Sequence, residues 1–208
     1  MKWNCPVAVL ASGPSMTKDD AEAIRRAGIK TIAVNGTWKL APWCDVHYAG
    51  DYRWWKAYGD KIDIPAKRLS RSSNSEKSHG ATYFKTKMSR AYNSGQLAIE
   101  VAIRYGGSPI ILLGFDGSVT NGVHWHGEHK KTPNPNVERC RRWQAQFKEI
   151  TKVYPDAKII NCSRYTEIEC FERADLNDVI NSLAKPEIHS PRKGESIHIW
   201  PEAAGLPC

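Results

Sequence analysis

The stretch Val7-Ala8-Val9-Leu10-Ala11, followed at once by Ser12-Gly13-Pro14-Ser15, decides how this chain is read. A compact apolar run that stops at a Gly-Pro turn is a strand buried on both faces, since a half-exposed strand would alternate polar and apolar residues. The same grammar recurs along the chain. Residues 31–34 stop at Asn35-Gly36, and residues 46–49 stop at Gly50-Asp51. Residues 110–113 run into Gly114-Phe115-Asp116-Gly117, and residues 158–160 end in Asn161-Cys162-Ser163.

Helical patterns separate these runs. Thr17 is placed to cap a helix with Asp19 and Asp20 in its first turn, Ala21, Ile24 and Ala27 on its apolar side, and Gly28 at its end. An aromatic helix carries Trp54, Trp55 and Tyr58. Asn93 or Ser94 caps a third, with Leu97, Val101 and Tyr105 at helical spacing. Asn136 caps a fourth, whose Cys140, Trp143, Phe147 and Ile150 share a side, and a short acidic helix is expected over 174–183. Strands alternating with helices predict an α/β fold with a parallel sheet covered on both faces. Residues 67–90 are rich in Ser and Lys with little periodicity and read as a long, mobile, basic insertion. The Pro-rich segment from Lys185 reads as an irregular tail, leaving one domain over residues 1–184.

At 208 residues the chain has room for one substantial core. No apolar run approaches the roughly 20 residues of a membrane span, and the short apolar start is too brief for an export signal. Six cysteines are scattered without a C-x-x-C pair, so reduced thiols and a cytoplasmic location are expected. The net charge of +8 is concentrated. Seven basic residues against Glu76 give 67–90 a net +6, and seven against Glu138 and Glu149 give 130–152 a net +5. Fields of this kind attract phosphates or nucleic acid, although charge runs are also ordinary solvated faces.

The polar turns point to function. In a parallel sheet the carboxyl ends of the strands share one edge, where open α/β folds bind ligands. Ser12-Gly13-Pro14-Ser15 suits a phosphate, because glycine lets the backbone approach and hydroxyls and amides can donate. It is neither a P-loop nor a G-x-G-x-x-G fingerprint.

Taken in order, Ser12-Gly13-Pro14-Ser15, Val34-Asn35, Gly50-Asp51, Asn93-Ser94-Gly95 and Leu112-Leu113-Gly114-Phe115-Asp116 resemble one family pattern. It is the pattern of the group joining the "domain of unknown function 115" proteins, archaeal 6-hydroxymethyl-dihydropterin pyrophosphokinases, bacterial family 42 sialyltransferases and small phage-encoded proteins, and the resemblance spans roughly residues 5–130. It implies a Rossmann-like fold with a nucleotide on the strand-end rim. By this likeness Gly13, Pro14, Ser15 and Asn35 contact the donor, Asn93, Ser94 and Gly95 open a helix onto it, and a histidine beyond the Gly-x-Asp strand, His124 or His126, is the general base. The chain lacks an obvious separate acceptor lid, and its histidine loop is denser than the family pattern requires.

That loop reads His124-Trp125-His126-Gly127-Glu128-His129. Its spacing is close to the zinc-binding H-x-H-x-D-H of metallo-β-lactamase-fold hydrolases, and His124, His126 and His129 are the ligands if zinc binds. That fold opens with β-hairpins and needs further ligands, whereas only His189 and His198 follow here, so no tightly bound metal is expected. Mg²⁺ bridging a donor diphosphate would take Asp51 and Asp116, whose other role is capping the helices that follow. Trp38, Trp43, Trp54 and Trp55 lie near the rim and can stack on a base or sugar, with core packing the commoner fate.

The expected function is a nucleotide-dependent, glycosyltransferase-like transferase. Ser12, Gly13, Pro14, Ser15, Asn35, Asp51, Asn93, Ser94 and Gly95 form the donor site, and His124, His126 and Asp116 are the catalytic candidates. Lys85, Lys87 and Arg90 are assigned to a phosphate-bearing acceptor such as DNA. The rivals are ATP-dependent pyrophosphate transfer, a non-catalytic nucleotide-binding module and a zinc hydrolase.

Overall fold

Along strand β1 (Val7–Leu10) the side chains are buried whichever way they point. Val7 and Val9 pack on one face of the sheet with Leu97, Val101, Phe147 and Ile150. Ala8 and Leu10 pack on the other with Ala21, Ile24, Leu176 and Val179. Strand β6 (Ile110–Leu113), paired beside it, divides its residues in the same way. Each such aliphatic side chain contributes about 1.5–3 kcal/mol when fully buried, so these two strands anchor both halves of the core.

The computed structural model describes residues 2–89 and 93–184. Around β1 and β6 the chain adds, in order, α1 (Lys18–Arg26), β2 (Lys30–Val34), β3 (Val46–Tyr48), α2 (Tyr52–Tyr58), β4 (Lys67–Ser70), α3 (Ser73–His79), β5 (Thr82–Tyr83) and α4 (Ser94–Arg104). After β6 come α5 (Val137–Val153), β7 (Ile159–Asn161), β8 (Glu172–Arg173) and α6 (Leu176–Ala184). The strands form one sheet in the order β5-β4-β3-β2-β1-β6-β7-β8, and every pairing is parallel. The chain thus builds outward from β1 to β5, returns through α4, and builds the other way from β6. The fold is α/β and Rossmann-like, with its switch point between β1 and β6. Among the described residues there is none of the hairpins with which the metallo-β-lactamase fold opens.

The helix starts follow the expected chemistry. Thr17 and Asp20 form a reciprocal capping box on α1, and Gly28 follows that helix at φ 67°. Asn93 caps α4 and Asn136 caps α5 through their side chains. Asp51 stands at the N-cap of α2 but makes no capping bond with its carboxylate.

The expectation of a mobile insertion over 67–90 is corrected. Its first part supplies β4, α3 and β5, three elements that extend the sheet. These edge strands are short and carry exposed polar residues, so they lack the apolar signature of the inner strands. The following turn is fixed by Glu100 of α4, whose side chain is fully buried. Glu100 accepts from the Thr86 hydroxyl, the Lys87 amide at 2.7 Å and the Tyr154 hydroxyl at 2.9 Å. Four described cysteines, Cys44, Cys140, Cys162 and Cys170, are free thiols. No helix among the described residues is long and apolar enough to cross a membrane. Arg90 and the expected irregular tail over 185–208, with His189 and His198, lie outside the described residues.

Glu100→Ala leaves several donors facing a buried void. It should destabilise the fold by about 3 kcal/mol or more and expose Lys85 and Lys87 to trypsin, sites that the wild type should protect. Urea denaturation and mapped limited proteolysis check both parts.

Candidate functional site

At the carboxyl ends of β1 and β6 two backbones come together. The Gly13 amide donates to the Gly114 carbonyl at 2.9 Å, and the Ala11 amide to Leu113 at 2.8 Å. A Cβ on Gly13 would stand 2.5 Å from the Gly114 oxygen, and one on Gly114, at φ 70°, 2.5 Å from the Ala11 oxygen. Both glycines are therefore required by contact. Above them opens a cleft of about 960 Å³, with a floor and walls contributed by several strand ends.

Ser12, Gly13, Asn35, Asp51, Asn93, Ser94, Gly95, Asp116 and His124 all line this cleft, as does His129. The sequence thus identified the rim, but several of these side chains are occupied in building it. Asn93 accepts from the amides of Gly95 and Gln96, at 2.8 and 3.4 Å. The Ser94 hydroxyl accepts from Gly50 at 3.0 Å, tying the start of α4 to the end of β3. Gly95 admits Phe115, whose ring would lie 2.9 Å from a Cβ.

Ser15 is a correction. It was expected on a solvent-facing rim, yet it is only 3% exposed. Its amide donates to one oxygen of Asp116 at 2.8 Å and its hydroxyl to the other. The Ser15 carbonyl accepts from Arg164 at 2.8 Å, and Arg164 forms a two-pronged pair with Asp20 at 2.8 and 2.6 Å. Burial raises Asp116 above the ordinary carboxylate range, and the Ser15 bonds oppose that rise. With both oxygens accepting from Ser15, Asp116 braces the turn. Pro14 is not among the cleft-lining residues.

Asn35 sits at the end of β2 in the left-handed region, φ 51°, a conformation that asparagine tolerates better than most residues. His47 of β3, wholly buried between Trp54 and Trp55, donates from Nε2 to the Asn35 carbonyl at 2.8 Å. Desolvation holds His47 near a pKa of about 4, so it is the neutral donor this bond needs. Its place inside a predicted strand was the only sequence signal of this role.

The histidine loop folds back over the turn. The Trp125 amide donates to the Ser12 carbonyl at 3.1 Å, and the Trp125 indole to Thr37 at 3.4 Å. The His129 amide donates to Asn134 at 2.7 Å, and Asn134 returns a bond to the His129 carbonyl at 3.2 Å. His124 places Nδ1 3.2 Å from the Ser12 hydroxyl and 3.3 Å from its carbonyl. His124 lines the cleft whereas His126 lies against Gly36, which separates the two candidates for the base. The three imidazoles converge, with ring centroids 5.0, 4.4 and 4.9 Å apart. Burial, reinforced by the neighbouring imidazoles, pushes His124 down to about 4. Burial, then His126 and Lys39, does the same to His129, and His126 is also lowered. All three are neutral at pH 7. Among the described residues this is the one group of three or more His, Cys, Asp or Glu whose ligand atoms cluster.

The cations fall differently from the expectation. Lys85 and Lys87 are exposed, but the Lys85 carbonyl receives Arg104 and the Lys87 amide donates to Glu100. They therefore flank the far half of α4, roughly 9–15 Å down the helix from its start. The cleft is lined instead by Arg53, Arg139 and Arg142. Sequence reasoning counted the last two only within a basic run. They mark the first turns of α5, which Asn136 aims at the rim. Of the tryptophans, Trp55 is core and donates to Ala49 at 2.8 Å, and Trp38 and Trp43 pack half-buried against the α1 side. Trp54 and Trp143 reach the cleft.

Ser15→Ala should cost about 1–3 kcal/mol at neutral pH, because the buried Asp116 carboxyl loses a donor. With its folded pKa above the unfolded value, the cost of ionising Asp116 is absent in acid and sets in as pH rises through the folded pKa. The mutant's deficit should accordingly shrink at about pH 4 relative to pH 7. Urea titrations of both proteins at the two pH values measure it.

No protein-family model matches this chain, and no curated protein or solved structure matches it either, so the reading of the cleft rests on its own geometry.

Proposed function

We propose that this chain is a nucleotide-dependent transferase of the glycosyl-transferring kind, moving a group from a nucleotide or nucleotide-sugar donor to a hydroxyl acceptor. The observation that carries the reading is the convergence of Gly13, Asn35, Asp51, Gly95 and His124, from separate strand ends, on one cleft at the switch point of a parallel sheet. Its volume of about 960 Å³ suits a ligand of nucleotide-sugar size. Gly13 lets the backbone approach a phosphate, the start of α4 offers its positive end, and Arg139 and Arg142 supply charge. Trp54 or Trp143 stacks on the base or sugar.

In this reading the donor's anomeric carbon is attacked by the acceptor oxygen, whose proton passes to water in the cleft beside His124. The bond from that carbon to the donor phosphate oxygen breaks, and the nucleotide departs with the electron pair onto the arginines. Pyrophosphate transfer from ATP is less well supported, since its Mg²⁺ ligand Asp116 has both oxygens engaged by Ser15. A phosphate-bearing acceptor such as DNA would be met by Arg53, Arg139 and Arg142 rather than by Lys85 and Lys87.

A thermal-shift screen over nucleotides and nucleotide sugars tests the donor, since a ligand well above its Kd should raise stability by about 2–4 kcal/mol. Asn35→Ala should weaken the best ligand, and Arg139→Ala or Arg142→Ala should do so by roughly 10–150-fold for each lost charged hydrogen bond. Charge reversal at Lys85 and Lys87 should leave nucleotide affinity unchanged. A screen without any stabilising nucleotide, or arginine variants of wild-type affinity, would remove the donor from this cleft.

A further inference from the structure

Imidazole nitrogens are good hydrogen-bonding groups, and burying one unpaired costs stability. In the loop over α5 two are in that condition, since Nε2 of His124 and Nε2 of His126 are both buried without a partner. Three histidines supply one ligand atom each within 4.8 Å of one another. We propose that His124, His126 and His129 form a three-nitrogen site for one divalent transition-metal ion of the zinc class, its fourth position open to the cleft.

The surroundings suit that role. Nδ1 of His124 faces the Ser12 carbonyl at 3.3 Å. A proton donated there leaves the Nε2 lone pair free, the tautomer a metal-binding histidine needs, with the carbonyl as the outer partner that fixes the ring. His129 is held by its reciprocal bonds with Asn134 and by the Tyr58 ring, whose centroid lies 5.8 Å away. Tetrahedral coordination at about 2.0–2.1 Å sets ligand nitrogens about 3.3 Å apart. From separations of up to 4.8 Å the rings close by small side-chain rotations. An all-imidazole set favours zinc-type ions over Mg²⁺, which prefers oxygen. Three protein ligands with one open position is the arrangement of catalytic zinc, so the further ligands that the sequence lacked are not needed.

His124 and His129 line the cleft, which turns the open position toward it. A hydroxyl or water bound there is a stronger acid and releases its proton to solvent in the cleft more readily. This role for the metal rests on the transferase reading; the site itself does not.

The test uses the untagged full chain, stripped with a chelator and titrated with Co²⁺ alone. The expected result is one Co²⁺ per chain with the intense visible absorption of tetrahedral coordination, displaced by Zn²⁺. His124→Ala and His129→Ala should each weaken binding by more than the roughly 10–100-fold typical of losing an outer-shell partner. Glu128→Gln, at an exposed position in the same loop, should bind as the wild type does. Circular dichroism of the stripped variants shows whether they fold, and the wild-type stoichiometry and spectrum decide the matter if they do not. Substoichiometric Co²⁺, a weak octahedral spectrum, or undiminished binding by folded histidine variants would overturn the site. Nucleotide affinity of the stripped wild type is measured alongside, so loss of the metal site and loss of the donor reading are separate results.

Discussion

Two backbones meeting where the strand order reverses, between β1 and β6, is the constraint from which the rest of the site follows. Gly13 and Gly114 let the connections after β1 and β6 touch, and neither position has room for a Cβ. Contact at that point brings Asp116 under the Ser12–Ser15 turn, where it takes both the amide and the hydroxyl of Ser15. Arg164, after β7, closes the turn from the other side and is itself neutralised by Asp20 of α1. Three strand ends and one helix are thereby locked together behind the cleft. At this point the cleft is lined by small residues, Ala11, Ser12, Gly13 and Gly114, while the larger side chains Arg53, Trp54, Arg139, Arg142 and Trp143 come from the helices around it.

The loop between β6 and α5 has no regular structure through its histidines, yet each is fixed. Its bonds run to Ser12 after β1, to Thr37 after β2 and, through the Lys131 amide at 3.3 Å, to Tyr58 of α2. A loop fastened to three elements can hold neutral imidazoles in partial burial, where desolvation keeps them uncharged. Charged imidazoles at such spacing would repel one another. The low proton affinity of the cluster and its compactness are two sides of the same packing.

Charge is divided between two regions with different tasks. Arg139 and Arg142 stand at the start of α5 and face the cleft. Lys85 and Lys87 belong to a turn whose backbone is held by Glu100 and Arg104, well away from the rim. The described part of the basic segment thus supplies a sheet edge over 67–83 with cationic decoration, and solvated charge suits an edge that must not pair with another chain.

The inner strands, the capped helices and the shared strand-end rim are legible in the sequence, because uninterrupted apolar runs and Asn, Thr or Gly at helix ends are local signals. The short strands toward the two ends of the sheet, β4, β5 and β8, escaped that reading, because none carries a continuous apolar run and β5 and β8 are exposed along their length. The sequence named the rim residues but not their tasks. Ser15 and Asp116 look alike in sequence whether they serve a ligand or each other, and 101 positions separate them. His47 reads as a strand residue until the fold sets it under Asn35, and His124, His126 and His129 read as a motif without saying whether their rings converge. These points turn on burial and pairing, which depend on which distant backbones the sheet brings into contact.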